Sequence, residues 1–490
     1  MQRVRLVDTT IRDGQQSLWA TRMTNEMIFP VLSQLDEMGY DVIDLLGGAM
    51  FDVCVRYLRE DPWDRIRQAA KIVRKTPMNV FTRGQSLFTF EMFPDDVVEL
   101  AIRCVAANGV RRYTCYDSLH DIRNMALSVR VAKESGMESV GHVAYTVSPI
   151  HTDAYYAAKA KEIVALGVDV FGIKDPGGLL TVERARTLVP AVRAVAPSLP
   201  FELHTHCRGS VGELVALTSV PFGVDYLYTG IRPLASADAL PDGRYCARNL
   251  REMGYDVRVS DADFERVEKF LTELAQRYGK PILPPNRYDP FLYKHQVPGG
   301  MISNLRSQLR DLGMERRLDE VMTEAAVVRE DLGYPVIVSP FAQFTITQAA
   351  INVVGGKRYG VIPDEVVRYV QGYYGKPAGP IAPEVLARVA EITGGAEPIT
   401  ARPGEVIPPR LEETRAARGP FASDEDLLLA VFYQPAQLDP LLRARGGAPA
   451  TNGTSIRDAL KMLDEVPRWR TIAIRTPQLV MEGSRSSTST

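Results

Sequence analysis

Cysteine is scarce and without pattern in this chain. The five residues, Cys54, Cys104, Cys115, Cys207 and Cys246, show no CxxC spacing, which speaks against a disulfide scaffold or a zinc ribbon and suits a reducing compartment. An excess of one charge is also missing. Lys and Arg total 58 against 60 Asp and Glu, a net charge of −2, so there is neither a basic stripe for nucleic acid nor an acidic tail. No apolar run approaches the roughly 18 residues that a membrane-spanning helix needs. The opening segment MQRVRLVDTT reads at once as a strand, with no signal-peptide core. A cytoplasmic location without membrane spans or nucleic acid is therefore expected. Histidine is rare too, with six residues, which makes the placing of two of them at His204 and His206 informative.

What the chain has is length and apolar content. Its 490 residues, 45% hydrophobic, can bury a large core in two or three domains. The first 235 or so alternate short apolar runs with longer amphipathic segments, the pattern of βα repeats. Strands are expected near Val4–Val7, Val42–Leu46, Asn79–Phe81, Arg112–Cys115, Ser139–Tyr145, Asp169–Ile173, Phe201–His204 and Tyr226–Tyr228. Helices fall between them, such as Asn25–Met38, Pro94–Asn108, Ile122–Ser135, Asp153–Leu166 and Val182–Val195. Gly39, Gly109, Gly136 and Gly167 stand where helices should end. Eight such units predict an α/β fold, a (β/α)8 barrel over residues 1–250. A doubly wound open sheet is the alternative, but no GxGxxG follows a strand. From 251 to 445 helical patterns dominate (Asp261–Tyr278, Ile302–Leu312, Leu318–Asp331), predicting a mainly helical domain that covers the barrel mouth. Residues 446–490 end in EGSRSSTST and read as a partly disordered tail.

The chemistry-bearing loops follow predicted strand ends, the face on which barrel enzymes build their sites. Strand one leads into DTTIRDGQQS, with Asp8, Arg12, Asp13 and Gln16. Strand three leads into TRGQS, with Arg83. Strand six ends in GIKDPGG, with Lys174 and Asp175, and strand seven in ELHTHC. Residues i and i+2 of a strand share a face, so His204 and His206 can aim at one divalent ion. Ordinary surface histidines are the plain alternative. Asp13 is the expected carboxylate ligand, and capping the following helix is its plain alternative. Lys174 is costly to desolvate at a strand end. It could be a carbamate ligating the metal, a Schiff-base lysine or the partner of Asp175, and physical reasoning alone does not separate these.

The segments DTTIRDGQQSLWATRM, GGAMFDVCVRYLREDPWDRI, GIKDPGGLL, ELHTHC, YKHQVPGGMISNL and GYPVIVSP resemble the carboxyltransferase domains of biotin-dependent enzymes, from about residue 4 to 445. The family includes the central domain of pyruvate carboxylase, the central subunit of transcarboxylase and the oxaloacetate decarboxylase alpha subunit. The resemblance implies metal ligands Asp13, carbamylated Lys174, His204 and His206, with zinc expected and cobalt or manganese as alternatives. It implies Lys174, Ser339 and Arg12 as catalytic residues, Ser339 standing where the family has a proton-relaying threonine, and Gln16, Arg83 and Asp117 as substrate-binding. The implied reaction moves a carboxyl group between carboxybiotin and a 2-oxo acid such as pyruvate or oxaloacetate through a metal-stabilised enolate. The chain contains no AMKM-like biotinylation sequence and no ATP-grasp region precedes the barrel, so biotin is expected on a separate carrier protein, with a biotin carboxylase subunit as a further partner. A homodimer is implied as well.

Departures from the family pattern bear on the substrate. Gly14-Gln15 replaces alanine-histidine, Phe90 a tyrosine and Ser86 an asparagine. PFAQF follows Ser339 in place of a polar run, and SADALPDG lacks the usual Ser-Gln-Pro-Pro. Gly14 and Phe90 favour a rival reading, a biotin-independent metal-dependent lyase, decarboxylase or aldolase acting on a 2-oxo acid. Lys174 and the helical domain oppose it. A scaffold subunit without activity is a third reading, opposed by the four intact metal positions.

Overall fold

The computed structural model describes residues 1–297, 299–311, 313–445, 471–476 and 479–484. Eight parallel strands close into a barrel in chain order: β1 (Arg5–Asp8), β2 (Val42–Gly47), β3 (Met78–Thr82), β4 (Arg112–Tyr116), β5 (Glu138–Ala144), β6 (Val170–Asp175), β7 (Phe201–Thr205) and β8 (Tyr226–Thr229). The closing pair sets Arg5 opposite Tyr226 and Asp8 opposite Thr229. Each expected strand is present, with its ends within two residues of the expected ones. The helices Asn25–Glu37, Asp95–Ala107, Arg123–Glu134, Asp153–Ala165 and Val182–Arg193 alternate with the strands. Gly109 and Gly167 follow two of them at φ +100° and +82°, a left-handed turn that a Cβ would disfavour.

The barrel interior is not purely apolar. Period-two alternation turns Arg112 of β4, His142 of β5, and Glu202 and His204 of β7 inward, all with side chains fully or almost fully buried. Glu202 answers three neighbours: it pairs with Arg112, lies 3.0 Å from His142 Nε2 and accepts from the Tyr228 hydroxyl at 2.9 Å. Arg112 and His142 outweigh the burial that would raise it and hold the Glu202 carboxyl down at about 2. This buried layer is a charged floor beneath the mouth.

Hydrophobic contacts sort less simply than chain order. The core around the barrel includes Phe264, Val267 and Leu271 of the helix Asp261–Arg277, and it also takes in Leu428, Leu429 and Phe432 from the helix Asp424–Phe432 far along the chain. A second core gathers Val321, Val328, Phe341, Phe344, Val366 and Tyr369 from helices between Leu318 and Val370. That helical body reaches the barrel through Arg329, which donates to the Val147 carbonyl at 2.8 Å and to Thr146 Oγ1 at 2.9 Å. Within 446–490, Thr471–Thr476 and Leu479–Ser484 pair as an antiparallel hairpin. The rest of that stretch, expected as partly disordered, lies outside the described residues.

Candidate metal centre and active site at the barrel mouth

After β1 the chain turns sharply into a π-helical segment, Thr10–Gly14. Asp8 makes that turn: its carboxylate accepts from Thr10 Oγ1 at 2.6 Å and from the Thr10 amide at 3.2 Å. Burial pushes it up to about 7, and it does not line the cavity above. The turn carries Arg12, Asp13 and Gln16 to the mouth. Arg12 is held on both sides, donating through Nε to Asp44 at 2.6 Å and through Nη1 to Asp13 at 2.7 Å, while its Nη2 is buried with no partner among the described residues.

Asp13, His204 and His206 each present one ligand atom, and these atoms lie within 4.8 Å of one another. An Asp13 oxygen stands 3.5 Å from His206 Nε2, which is 3.4 Å from His204 Nε2. Ser17 Oγ donates to the same carboxylate at 3.0 Å. Burial would raise the Asp13 carboxyl, but His206 and Arg12 overcome it and hold it well below 3.8. His206 Nδ1–H reaches the Asp238 carbonyl at 2.7 Å, which leaves the Nε2 lone pair facing its neighbours. His204 is fully enclosed, and burial, reinforced by Lys174 and Arg12, keeps it uncharged. One ionised carboxylate and two imidazoles form a donor set that fits a divalent cation.

Lys174 Nζ stands 3.1 Å from His204 Nε2 and over the Phe81 ring, 4.5 Å from its centroid. Among the described residues no carboxylate oxygen lies within 4 Å of it. Asp175, the partner considered in the sequence, accepts instead from the Leu179 and Leu180 amides and from Thr205 Oγ1, each at 2.9 Å. Burial, then Arg12, pulls the lysine down to about 7.

These groups open into a cavity of about 320 Å³, lined by Arg12, Asp13, Gln16, Arg83, Lys174 and His206 from the barrel and by Ser339 from the helical body. Arg83 gives one Nη to the Thr89 carbonyl at 2.8 Å and lies over the Phe90 ring at 5.0 Å. Ser339 Oγ accepts from Gln343 Nε2 at 2.8 Å. Asp117 is not brought to this cavity. Its carboxylate serves the loop after β4, accepting from the Leu119 and Asp121 amides at 2.9 Å and from Asn124 Nδ2 at 3.1 Å.

Several contributors were missed in the sequence. A Cβ at Gly48 would lie 2.8 Å from Arg83 Nη2, so the glycine pair ending β2 makes room for the guanidinium; the GGAM motif carried that signal. Arg208 and Asp238 also line the cavity, and only chain folding brings the Asp238 carbonyl to His206.

Comparison with known proteins follows this geometry. The chain matches the family described as "Conserved carboxylase domain" over residues 292–458 and the HMGL-like family over residues 3–231. It is 38% identical to a subunit of pyruvate carboxylase from Methanocaldococcus jannaschii, over 88% of this chain and 76% of that protein. The chain belongs to the carboxyltransferase family of biotin-dependent carboxylases. It is also 32% identical to the methylmalonyl-CoA carboxyltransferase 5S subunit of Propionibacterium freudenreichii subsp. shermanii, over 90% and 88% of the two chains. The carboxyl transferase domain of Rhizobium etli pyruvate carboxylase, solved with oxamate and biotin, superposes with a TM-score of 0.84 at 26% identity, covering 91% of this chain and 78% of that one.

Within this family fold, two departures read as packing. A Cβ on Gly14 would come 2.2 Å from the Leu234 carbonyl oxygen, so the loop after β8 lies directly on residue 14. Ser86 is buried with its hydroxyl 3.1 Å from Met92 Sδ and is not among the cavity residues. Phe90 supports Arg83 through its ring face and offers no hydroxyl. In SADALPDG, Ser236 Oγ donates to Glu213 at 2.6 Å, while Asp238 and Ala239 give their carbonyls to His206 and Cys207.

Proposed function

We propose that this chain is the carboxyltransferase component of a biotin-dependent enzyme. It moves a carboxyl group between carboxybiotin, presented by a separate carrier protein, and a 2-oxo acid such as pyruvate or oxaloacetate. The observation that carries the reading is the meeting, in one cavity, of Asp13 and His206, whose cluster the enclosed His204 completes, with Arg83 from the barrel and Ser339 from the helical body.

A divalent cation held by Asp13, His204 and His206, with zinc the expected ion and cobalt or manganese as alternatives, would supply Lewis-acid stabilisation of negative charge on the oxo acid's carbonyl oxygen. Arg83 would hold the substrate carboxylate, for which its planar fork is suited, with Gln16 and the unpartnered Arg12 Nη2 orienting the other end. Lys174 as an ammonium would repel a cation at the histidines beside it. A carbamate on Nζ removes that conflict and completes an anionic set of ligands. Ser339 would carry a proton from the substrate carbon to the biotin ring nitrogen. The nitrogen–carboxyl bond breaks, the new carbon–carbon bond forms, and one proton crosses in the opposite sense.

A biotin carboxylase partner and a homodimeric assembly accompany this reading through the family. Among the described residues no helix is long and apolar enough to cross a membrane. The five cysteines are buried and unpaired, which fits a reducing compartment.

Oxo-acid decarboxylation assayed with and without free biotin tests the proposal. Ser339→Ala should lower the biotin-dependent rate by about 10²-fold or more while metal content and oxo-acid binding persist, because the hydroxyl acts in proton transfer. Ser339→Thr should be tolerated. Full activity without biotin, indifferent to Ser339, would refute it in favour of a biotin-independent lyase.

A further inference from the structure

Among the described residues, two arginines at the barrel mouth have no carboxylate at hydrogen-bond distance. Arg83 follows β3 and Arg208 follows β7, and strands four apart in a closed barrel of eight lie on opposite sides. Both side chains line the cavity. Among the described residues Arg83 Nε is buried without a partner. Arg208, whose side chain is 13% exposed, donates to the Val297 carbonyl, and the carboxylate beside it, Asp238, stands 4.0 Å from its Nε. Asp238 is itself engaged by Asn286 Nδ2 at 2.9 Å. Arg12, by contrast, is matched by Asp13 and Asp44 at hydrogen-bond distance. A guanidinium withdrawn from water without a contacting anion is unfavourable, and an anionic ligand relieves it.

A three-carbon 2-oxo acid brings one carboxylate, which satisfies one of these walls. We propose that Arg208 binds a second carboxylate, so that the cavity selects four-carbon dicarboxylic 2-oxo acids over their monocarboxylic counterparts. This rests on the site being a 2-oxo acid carboxyltransferase and assigns the far end of its ligand. When a carboxyl group leaves the biotin nitrogen and joins the substrate carbon, with that carbon's proton passing to the nitrogen, the new carboxylate is the group Arg208 receives. In the reverse direction the same group is the one released to biotin. Arg208 is therefore the specificity-determining residue for the second acidic group, while Arg83 serves the first.

Oxaloacetate and 2-oxobutanoate are four-carbon 2-oxo acids that differ in whether the last carbon is a carboxylate or a methyl group. Their binding to the metal-loaded protein is measured by calorimetry without biotin, so that no carboxyl transfer occurs. The wild type should bind the diacid about tenfold or more tighter, the scale of a charge-assisted bidentate contact. Arg208→Ala should bring the two acids to within about twofold by weakening the diacid alone. Arg83→Ala should weaken both. If the alanine variant loses metal through misfolding, Arg208→Gln, which keeps the aliphatic stem, should give the same selective loss. Equal binding of both acids by the wild type, or an equal weakening of both in the Arg208 variants, would overturn the assignment and mark Arg208 as a purely structural tie to Val297. Binding of neither acid to the wild type would overturn the 2-oxo acid reading itself, and the assignment with it.

Discussion

Replacing Gly14 by alanine, the residue the family usually carries there, places a Cβ 2.2 Å from the Leu234 carbonyl oxygen and 2.9 Å from the Leu234 Cβ. Close carbon–oxygen contacts settle at about 3.3 Å or more, so an overlap of about 1 Å has to be relieved by backbone movement. Leu234 has little freedom to yield: its amide is bonded to the Ile231 carbonyl at 2.8 Å, and its oxygen is also pressed against Gly230, where a Cβ would lie 2.7 Å away. Movement on one side displaces Asp13; movement on the other displaces the loop whose Asp238 carbonyl orients His206. Overpacking of this kind costs about 1–3 kcal/mol, and each kcal/mol lowers the midpoint of a domain of about 150–250 residues by roughly 2–4 °C. Gly14→Ala should therefore melt several degrees lower and hold less metal. Gly355→Ala is the control. Among the described residues no atom outside its own stretch of helix lies within 4 Å of its added Cβ, at the end of the helix Phe341–Gly355, so it should be neutral or stabilising by up to about 1 kcal/mol. Scanning calorimetry and elemental analysis read both effects. A Gly14→Ala protein with the midpoint and metal stoichiometry of the wild type would refute the packing argument.

His204→Ala should abolish stoichiometric metal in elemental analysis, because it removes one of three converging donors; full retention would contradict the assigned ligand set. Lys174 should gain the mass of a carbamate when native protein is weighed under bicarbonate, and Lys174→Gln should lack that gain and lose carboxyl transfer. Asp117 is a loop residue in this structure, so Asp117→Asn should leave oxo-acid affinity within about twofold, measured by calorimetry. Burial, with Asp121 adding to it, pushes the Asp117 carboxyl up from 3.8 to about 7, so the fold favours its protonated form. Its contribution is fully present below about 4 and is lost as pH rises to about 7. Urea unfolding should accordingly show the stability gap moving in favour of Asp117→Asn across that window and flat above it. A pH-independent gap would sink this account.

The barrel was legible because its signal is local. Parallel strands buried on both faces read as apolar runs such as Val42–Gly47, amphipathic helices fill the intervals, and glycines such as Gly109 and Gly167 mark where the helices stop. The HxH spacing at β7 was legible for the same reason, since period two puts His204 and His206 on one side of a strand; Asp13 was legible from its place after strand one, and the resemblance implied the carbamate among the three readings of Lys174. Other features depended on distant parts of the chain meeting. Asp117 was implied as substrate-binding by the resemblance alone, and only the fold shows its carboxylate accepting from the amides of its own loop. Gly14 looked like a change of chemistry, while Leu234, 220 residues later, gives it a steric cause. Helices at Asp261–Arg277 and Asp424–Phe432 share the barrel's core although chain order assigns them to the helical part. Arg83 and Arg208 share one cavity because β3 and β7 stand across a closed barrel. Residue type and spacing determine what a segment can form and which groups it carries. Which carboxylate stays free, which arginine is left unanswered and which glycine is obligatory are set by neighbours remote in sequence, and only the closed fold decides who those neighbours are.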